Sequence, residues 1–249
     1  MKSRLRASAI HLLGSALVIL VFLAFVYFVW YPHPFDVIHS VFDAVHILIG
    51  VDLVLGPLLT LIIFDTARKP MREIKRDIAM IVVVQISALA WGVHVTYNVR
   101  PEFAVVYKGA IHSVARGEID PGRLPENISY PGVLDRPQLV YLHPLGAEQV
   151  INLLNKMMAG GQLEDVIYIA DAYRPALAFS EDMSTQALSD EDLVAFADPE
   201  ELKSFKHRFG GSLENYMFFP VIYNDFRAIV ALDRKSLDMR ALISMQQAE

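Results

Sequence analysis

His39, Asp43 and His46 follow one another at spacings of four and three residues, which puts two imidazoles and a carboxylate on one face of a helix, within reach of a divalent metal. A fourth ligand is lacking, and Pro32 and Pro34 interrupt the chain just upstream. The same pattern serves as a polar face at an interface, so no metal centre is expected. Asp52 stands apart, near the midpoint of an apolar stretch, where a carboxylate in a membrane helix costs about 2.5–3.5 kcal/mol. Further on, Pro57 withholds an amide hydrogen from the carbonyl of Leu53, and Gly56 beside it lets another helix come close. One reading of Asp52, Gly56, Pro57 and Thr60 is a proton-sensitive polar site at a kink where a partner helix docks. The other is that Asp52 bonds to Gln85 or Thr96 and only holds helices together. Gln85, Ala88 and Gly92 fall on one helix face with small residues and an amide, the composition of a packing seam.

No G-x-S-x-G, H-E-x-x-H, phosphate-binding loop, dinucleotide fingerprint or paired zinc ligands occur, and His112, His143 and His207 are scattered singly among acidic residues. No catalytic residue, cofactor or enzymatic activity is therefore expected. The absence of cysteine removes disulfides, thiolate metal sites and a cysteine nucleophile together.

The elements that must carry these residues are membrane helices. The 249-residue chain is 54% hydrophobic and 20% charged, with a mean hydropathy of +0.36, too apolar for a soluble domain of that length. The excess lies in the first hundred positions. Residues 12–31 carry no formal charge and are long enough for a hydrocarbon core of about 30 Å. This run exceeds a signal-peptide core and ends in Phe28-Val29-Trp30-Tyr31-Pro32 rather than in small residues, so an uncleaved anchor with an aromatic belt is expected. Further spans are expected at 45–64 and 78–97. The loop between them, 65–77, holds Arg68, Lys69, Arg72, Lys75 and Arg76, whereas 32–44 holds no Lys or Arg. The positive-inside rule then puts the N-terminus and the 65–77 loop in the cytoplasm and everything after Tyr97 outside. In a bacterium with two membranes this describes a multi-pass inner-membrane protein: a membrane domain, 1–97, and a periplasmic domain, 98–249.

The second part carries a net charge of −8 against +2 for the first, which argues against nucleic acid or anionic lipid as its partner, since both need clustered Lys and Arg. Its pattern is that of a small α+β domain with an antiparallel sheet. A hairpin is expected from 103–107 and 111–114 around Lys108-Gly109-Ala110, and strands at 138–142 and 166–170. A Pro/Gly-rich stretch from Pro121 to Pro137 reads as an extended loop able to contact a partner. Helices are expected at 146–159, stopped by Gly160-Gly161, and after the caps Ser189 and Asp198, the latter ended by Gly210-Gly211. Apolar runs at 216–223, 226–232 and 239–245 predict a terminal antiparallel meander.

Gly50-Val51-Asp52-Leu53-Val54-Leu55-Gly56-Pro57-Leu58-Leu59-Thr60-Leu61, with Trp30-Tyr31-Pro32 before it and Arg76-Asp77, Gln85, Ala88-Leu89-Ala90-Trp91-Gly92 and Arg100-Pro101 after it, closely resembles the TfpX/TfpZ family of type IV pilin accessory proteins. The likeness continues in Phe219-Pro220-Val221 and Phe226-Arg227-Ala228-Ile229-Val230-Ala231-Leu232-Asp233. It departs at His39 and His46, which have no place in the family pattern, and at the Met245-Gln246-Gln247-Ala248-Glu249 ending, where a Pro-Trp ending is expected. The resemblance implies an inner-membrane, chaperone-like protein that binds and stabilises a type IV pilin subunit and promotes pilus assembly, with the lipid bilayer and other assembly components as further partners. Asp52, Gly56, Pro57, Thr60, Gln85 and Gly92 are the expected partner-binding residues. A membrane sensor with a periplasmic ligand-binding domain, and a pilin-modifying membrane enzyme, are the alternative readings. The first would have only short cytoplasmic segments to relay a signal, and the second would need a polar constellation that the sequence does not display.

Overall fold

In the computed structural model, residues 2–39, 49–64, 70–158, 166–210, 212–223 and 226–246 are described. Asp43, His46, the basic pair Arg68-Lys69, Gly160-Gly161, Gly211 and residues 247–249 lie outside them. The first helix, α1 (Lys2–Phe25), has no proline or glycine pair to break it and continues through a wide π-helical turn, Val26–Trp30, until Pro32 stops it. A single helical turn, α2 (Phe35–Ile38), follows. Residues 49–63 are helical again, as a second π-helical turn, Val51–Leu55, running into α3 (Gly56–Ile63). The widened turn sits where Pro57 cannot donate, so the chain passes the missing bond without breaking. The long α4 (Met71–Asn98) starts after Pro70 and ends against Arg100-Pro101. It begins seven residues before the expected 78, so the second half of the 65–77 stretch is helix rather than loop.

Two helices, Arg4–Trp30 and Met71–Asn98, are long and apolar enough to cross a membrane, and a shorter apolar one covers Asp52–Ile63. The long pair hides little of its apolar surface, with Leu13, Leu20, Val83 and Trp91 well exposed. Contacts set their directions. His11 meets Gln85 at one level, and the Trp30 and Tyr97 rings lie 5.3 Å apart at another, so α1 and α4 run parallel. Between them the chain descends: Ile49 packs against the core that holds Val26, Trp30 and Tyr31, whereas Pro57 and Thr60 meet Ser8 and His11.

After α4 the chain passes directly into a seven-stranded sheet. Its strands are β1 (Pro101–Tyr107), β2 (Ala110–Ala115), β3 (Gln138–Leu142), β4 (Tyr173–Pro175), β5 (Tyr216–Tyr223), β6 (Phe226–Asp233) and β7 (Met239–Ser244), in the order β4-β3-β1-β2-β5-β6-β7. The expected first hairpin forms, with Lys108 and Gly109 both at positive φ (46° and 75°), as a two-residue hairpin turn needs. The terminal meander β5-β6-β7 also forms. The sheet, however, is mixed and not antiparallel: β3 runs parallel to β1 and β5 parallel to β2. Both strands arrive after long connections and add to opposite flanks of the hairpin, a pairing that local turn signals do not encode. Nor is 166–170 a strand. Its apolar residues form 3-10 turns (Val166–Tyr168, Ala170–Ala172) closed by a hydrogen bond from the Tyr173 hydroxyl to the Ile167 carbonyl, and the strand is the next three residues. A short apolar run fits either conformation, and here packing selects the turn.

The helices α5 (Ala147–Met158), α6 (Ser180–Gln186), α7 (Asp190–Phe196) and α8 (Pro199–Arg208) complete the domain. Ser189 Oγ accepts from the Asp192 amide at 3.1 Å, and Asp198 Oδ1 accepts from both Glu200 and Glu201 at 3.0 Å, so the expected caps are in place. Ala104, Val106, Phe219, Val221 and Val230 form a core together with Val26, Trp30, Tyr31, Phe35 and Ile38 from the end of α1 and from α2. Phe103, Val105, Val140 and Tyr173, and separately Leu193, Phe205, Phe218 and Ile229, form two further clusters. Because neighbouring residues of β1 belong to different cores, that strand reads as one continuous apolar run.

Candidate functional site

Where the three helices meet, their few polar side chains converge. His11 Nδ1 lies 2.6 Å from Thr60 Oγ1, and His11 Nε2 lies 2.6 Å from Gln85 Oε1. Thr60 donates to the carbonyl of Gly56 at 3.0 Å, Gln85 Nε2 to the carbonyl of Asp52 at 3.3 Å, and Ser8 Oγ to the carbonyl of Pro57 at 2.8 Å. With Thr60 and Gln85 oriented in this way, both nitrogens of His11 face acceptors. Asp52 and Thr60 are almost wholly buried, and Asp52 Oδ1 has no hydrogen-bond partner. Gly56 is required by this arrangement: a Cβ there would stand 2.1 Å from Gln85 Nε2.

Beside the node opens a groove of about 610 Å³ whose lining includes Ala7, Gly14, Val18, Ile78, Val82 and Leu89. His11, Ser15, Asp52, Thr60 and Gln85 are the polar residues of its wall. An apolar cleft with a few polar side chains in its wall suits an apolar helix or chain that can hydrogen-bond to them.

Asp52, Gly56, Pro57, Thr60 and Gln85 are thus brought together. Gly92 is not; it lies two turns along α4, where its carbonyl accepts from Thr96 Oγ1 at 2.8 Å. The expected partnership of Asp52 with Gln85 is made through the backbone carbonyl of Asp52, and Thr96 takes no part in it. His39 is bound to Ser113 Oγ through Nε2 at 2.7 Å, and among the described residues no cluster of three metal-ligating side chains occurs. His11 was missed because it stands at the edge of the charge-free run, between the basic start and Leu12.

A second polar centre, at the other end of the helices, joins them to the sheet. Arg100, buried to 1% exposure, donates through Nη2 to the carbonyls of Pro131 (3.2 Å) and Gly132 (2.7 Å) and to Glu102 Oε1 (3.2 Å), and through Nη1 to the carbonyl of Val133 (3.2 Å). Its guanidinium lies over the Tyr97 ring at 4.7 Å, and Arg116 meets Glu102 Oε1 at 2.7 Å. Trp30 Nε1 donates to the Val133 carbonyl at 2.8 Å and the Tyr31 hydroxyl to the Thr96 carbonyl at 3.0 Å. Burial, with Glu102 beside it, pushes the Tyr130 hydroxyl up to about 12, so this ring stays neutral. These bonds hold both helix ends and the 131–133 backbone as one unit.

The model of the family described as "Fimbrial assembly protein FimB" matches residues 1–39, the stretch that contains His11 and the Trp30-Tyr31 anchor. Among curated proteins of Dichelobacter nodosus, the fimbrial assembly protein of serogroups C1 and C2 is 32% identical over 121 residues, covering 49% of this chain and 92% of that protein. The chain belongs to the fimbrial assembly protein family. The serogroup E1 member is 33% identical over 121 residues, and this chain spans about half of its length, 47%. The serogroup I member stands likewise, at 32% identity and 47% of its length. No solved structure matches this member of the family.

Proposed function

We propose that the protein is an inner-membrane accessory factor of type IV pilus assembly that binds pilin subunits and stabilises them before they are incorporated, without catalysing a reaction. Membership of the fimbrial assembly family supports the role in assembly. The topology proposed is three spans with the N-terminus and the 65–77 region in the cytoplasm and the sheet domain in the periplasm. Its support is directional: with α1 and α4 parallel, the chain from Tyr31 to Met71 has to return through the same thickness, and 49–63 descends between them.

The observation that carries the binding role is the apolar groove between the three helices, with the side chains of His11, Ser15, Asp52, Thr60 and Gln85 in its wall. An apolar helix that fills such a groove gains packing along its walls and can hydrogen-bond to the polar side chains there. Pilin fits because it too is a membrane-anchored chain with a periplasmic head, so the groove and the sheet domain would meet both its parts. The TfpX/TfpZ likeness around Asp52, Gly56, Pro57 and Thr60 adds to this assignment.

Photoreactive residues at Leu53 and Leu89, and in the Pro121–Pro137 loop, should crosslink pilin in native membranes. Gly14 lines the groove and has open space where a Cβ would point, so Gly14→Leu should obstruct the groove without a clash and lower pilin capture, as should Asp52→Ala. Undiminished capture by both variants at normal abundance would reject the groove, and absence of pilin from all crosslinks would reject direct binding.

A further inference from the structure

The backbone gripped by Arg100 and Trp30 ends in a tight turn with the wrong residues at its tip. Asp135 N donates to the Gly132 carbonyl at 3.2 Å and Gly132 N to Asp135 Oδ2 at 2.7 Å, which makes 132–135 a β-turn with Val133 and Leu134 at its two corners. Those corners ordinarily carry Asn, Asp, Gly, Pro or Ser, because they project into water. Here they carry a β-branched aliphatic and a leucine, 52% and 74% exposed. The turn's position is fixed. Trp30 closes the π-helical turn that continues α1 and Tyr97 lies in the last turn of α4, with their rings in contact, and both Trp30 Nε1 and Arg100 Nη1 bond the Val133 carbonyl itself. The apolar tip therefore sits beside the ends of the two long apolar helices, which themselves carry the exposed Phe28 and Val99, and the charged Asp135 and Arg136 follow at once.

We infer that the Val133-Leu134 turn is a lipid-binding element that inserts into the headgroup boundary of the membrane crossed by α1 and α4. The bilayer is the occupant because this surface continues the apolar surface of those helices at the level of the Trp30 and Tyr97 rings, where side chains pass from hydrocarbon to headgroup. The grip of Arg100 on three successive carbonyls sets the tip before it meets lipid, so little ordering is left for insertion to pay. The sheet domain is then fastened to the bilayer by a third point besides the two helix ends, which fixes the face it turns to a partner. This inference rests on α1 and α4 being spans.

The chain has no cysteine, so Leu134→Cys gives a single attachment site for an environment-sensitive fluorophore in the full-length protein reconstituted in phosphatidylglycerol/phosphatidylethanolamine vesicles. The expected result is blue-shifted emission, quenching by lipids brominated near the glycerol, and iodide quenching several-fold weaker than at Val194→Cys, which lies on α7 beside the third core cluster. Val133→Cys repeats the test at the other corner. Val83→Cys, exposed midway along α4, reports whether the helices are inserted. If position 83 is quenched by lipid while 133 and 134 match 194 toward iodide, the inserted turn is refuted and the spans stand. If position 83 is itself open to iodide, the span reading fails and takes this inference with it. Protection of 134 that develops only when purified pilin is added would assign the tip to a protein partner and likewise overturn lipid insertion.

Discussion

His39 is enclosed by the Ser113 hydroxyl, the Tyr223 ring 4.0 Å away and the Tyr31 ring, and burial pushes its imidazole down to about 4. Unfolded, it takes a proton near its ordinary 6.5. Between those values the unfolded chain holds a proton that the folded one does not, so stability falls as pH drops through the window, by up to about 3 kcal/mol. His112, lowered by burial as well, acts in the same direction. Thermal unfolding in detergent between pH 7 and 4 should show the decline, and His39→Gln, which keeps a donor for Ser113, should flatten it in part; an unchanged slope would refute the assignment. Gly56 offers a sharper test. Gly56→Ala should cost about 1–3 kcal/mol by overpacking against Gln85, and most of that cost should vanish when Gln85→Ala is already present, a coupling that a double-mutant cycle measures. Equal cost in both backgrounds would mean that the contact is unimportant. Asp52, Gly56, Pro57, Thr60 and Gln85 were legible because a polar or helix-distorting residue inside an apolar run is conspicuous. His11 was not, because a histidine next to a basic terminus looks solvated until the partner helix is known.

The elements that read correctly from sequence are those whose signals are local. Lys108-Gly109 announces its turn, Ser189 and Asp198 announce their helices, and the apolar runs of β5, β6 and β7 announce the meander. The parallel additions of β3 and β5 depend on where long connections land, and the continuity of α4 with the sheet depends on a side chain. Arg100 gave no sequence sign of its role, since a lone arginine at a helix end is usually a solvated cation. Its environment predicts otherwise. Arg100→Gln should leave Glu102 without one of its two cations and free the carbonyls of Pro131 and Gly132, at a cost of about 3–5 kcal/mol, the range for breaking a buried ion pair. Arg116→Gln should cost less, because Arg116 is 29% exposed and Arg100 would still face Glu102. Thermal stability ranks the two, and limited proteolysis should show cleavage near 131–137 only in Arg100→Gln. Equal losses would mean that the neck is held by packing, with the charges incidental.

At the scale of the molecule, the sequence boundary at residue 97 divides charge and hydropathy, but it does not divide the packing. Trp30, Tyr31, Phe35 and Ile38 belong to the same core as Phe219 and Val230, so the end of the first helix and the first turn beyond it are built into the sheet domain. That placement constrains topology more tightly than hydropathy does. Trp30 and Tyr97 must lie on one side of the bilayer because their rings touch, and Met71, at the other end of a 28-residue helix, must then lie on the opposite side if α4 spans, since about 42 Å of helix exceeds the hydrocarbon thickness. In the topology proposed above, the five basic residues between 68 and 76 assign that opposite side to the cytoplasm. A membrane-impermeant maleimide should therefore label Val194→Cys in cells whose outer membrane has been permeabilised, and should reach Met71→Cys only after lysis. Labelling of both in unlysed cells would break the three-span arrangement. It would also undo the proposed docking of a pilin helix, because a groove lined by Ala7, Asp52 and Leu89 can receive a membrane helix only while all three of its walls stand in the same membrane.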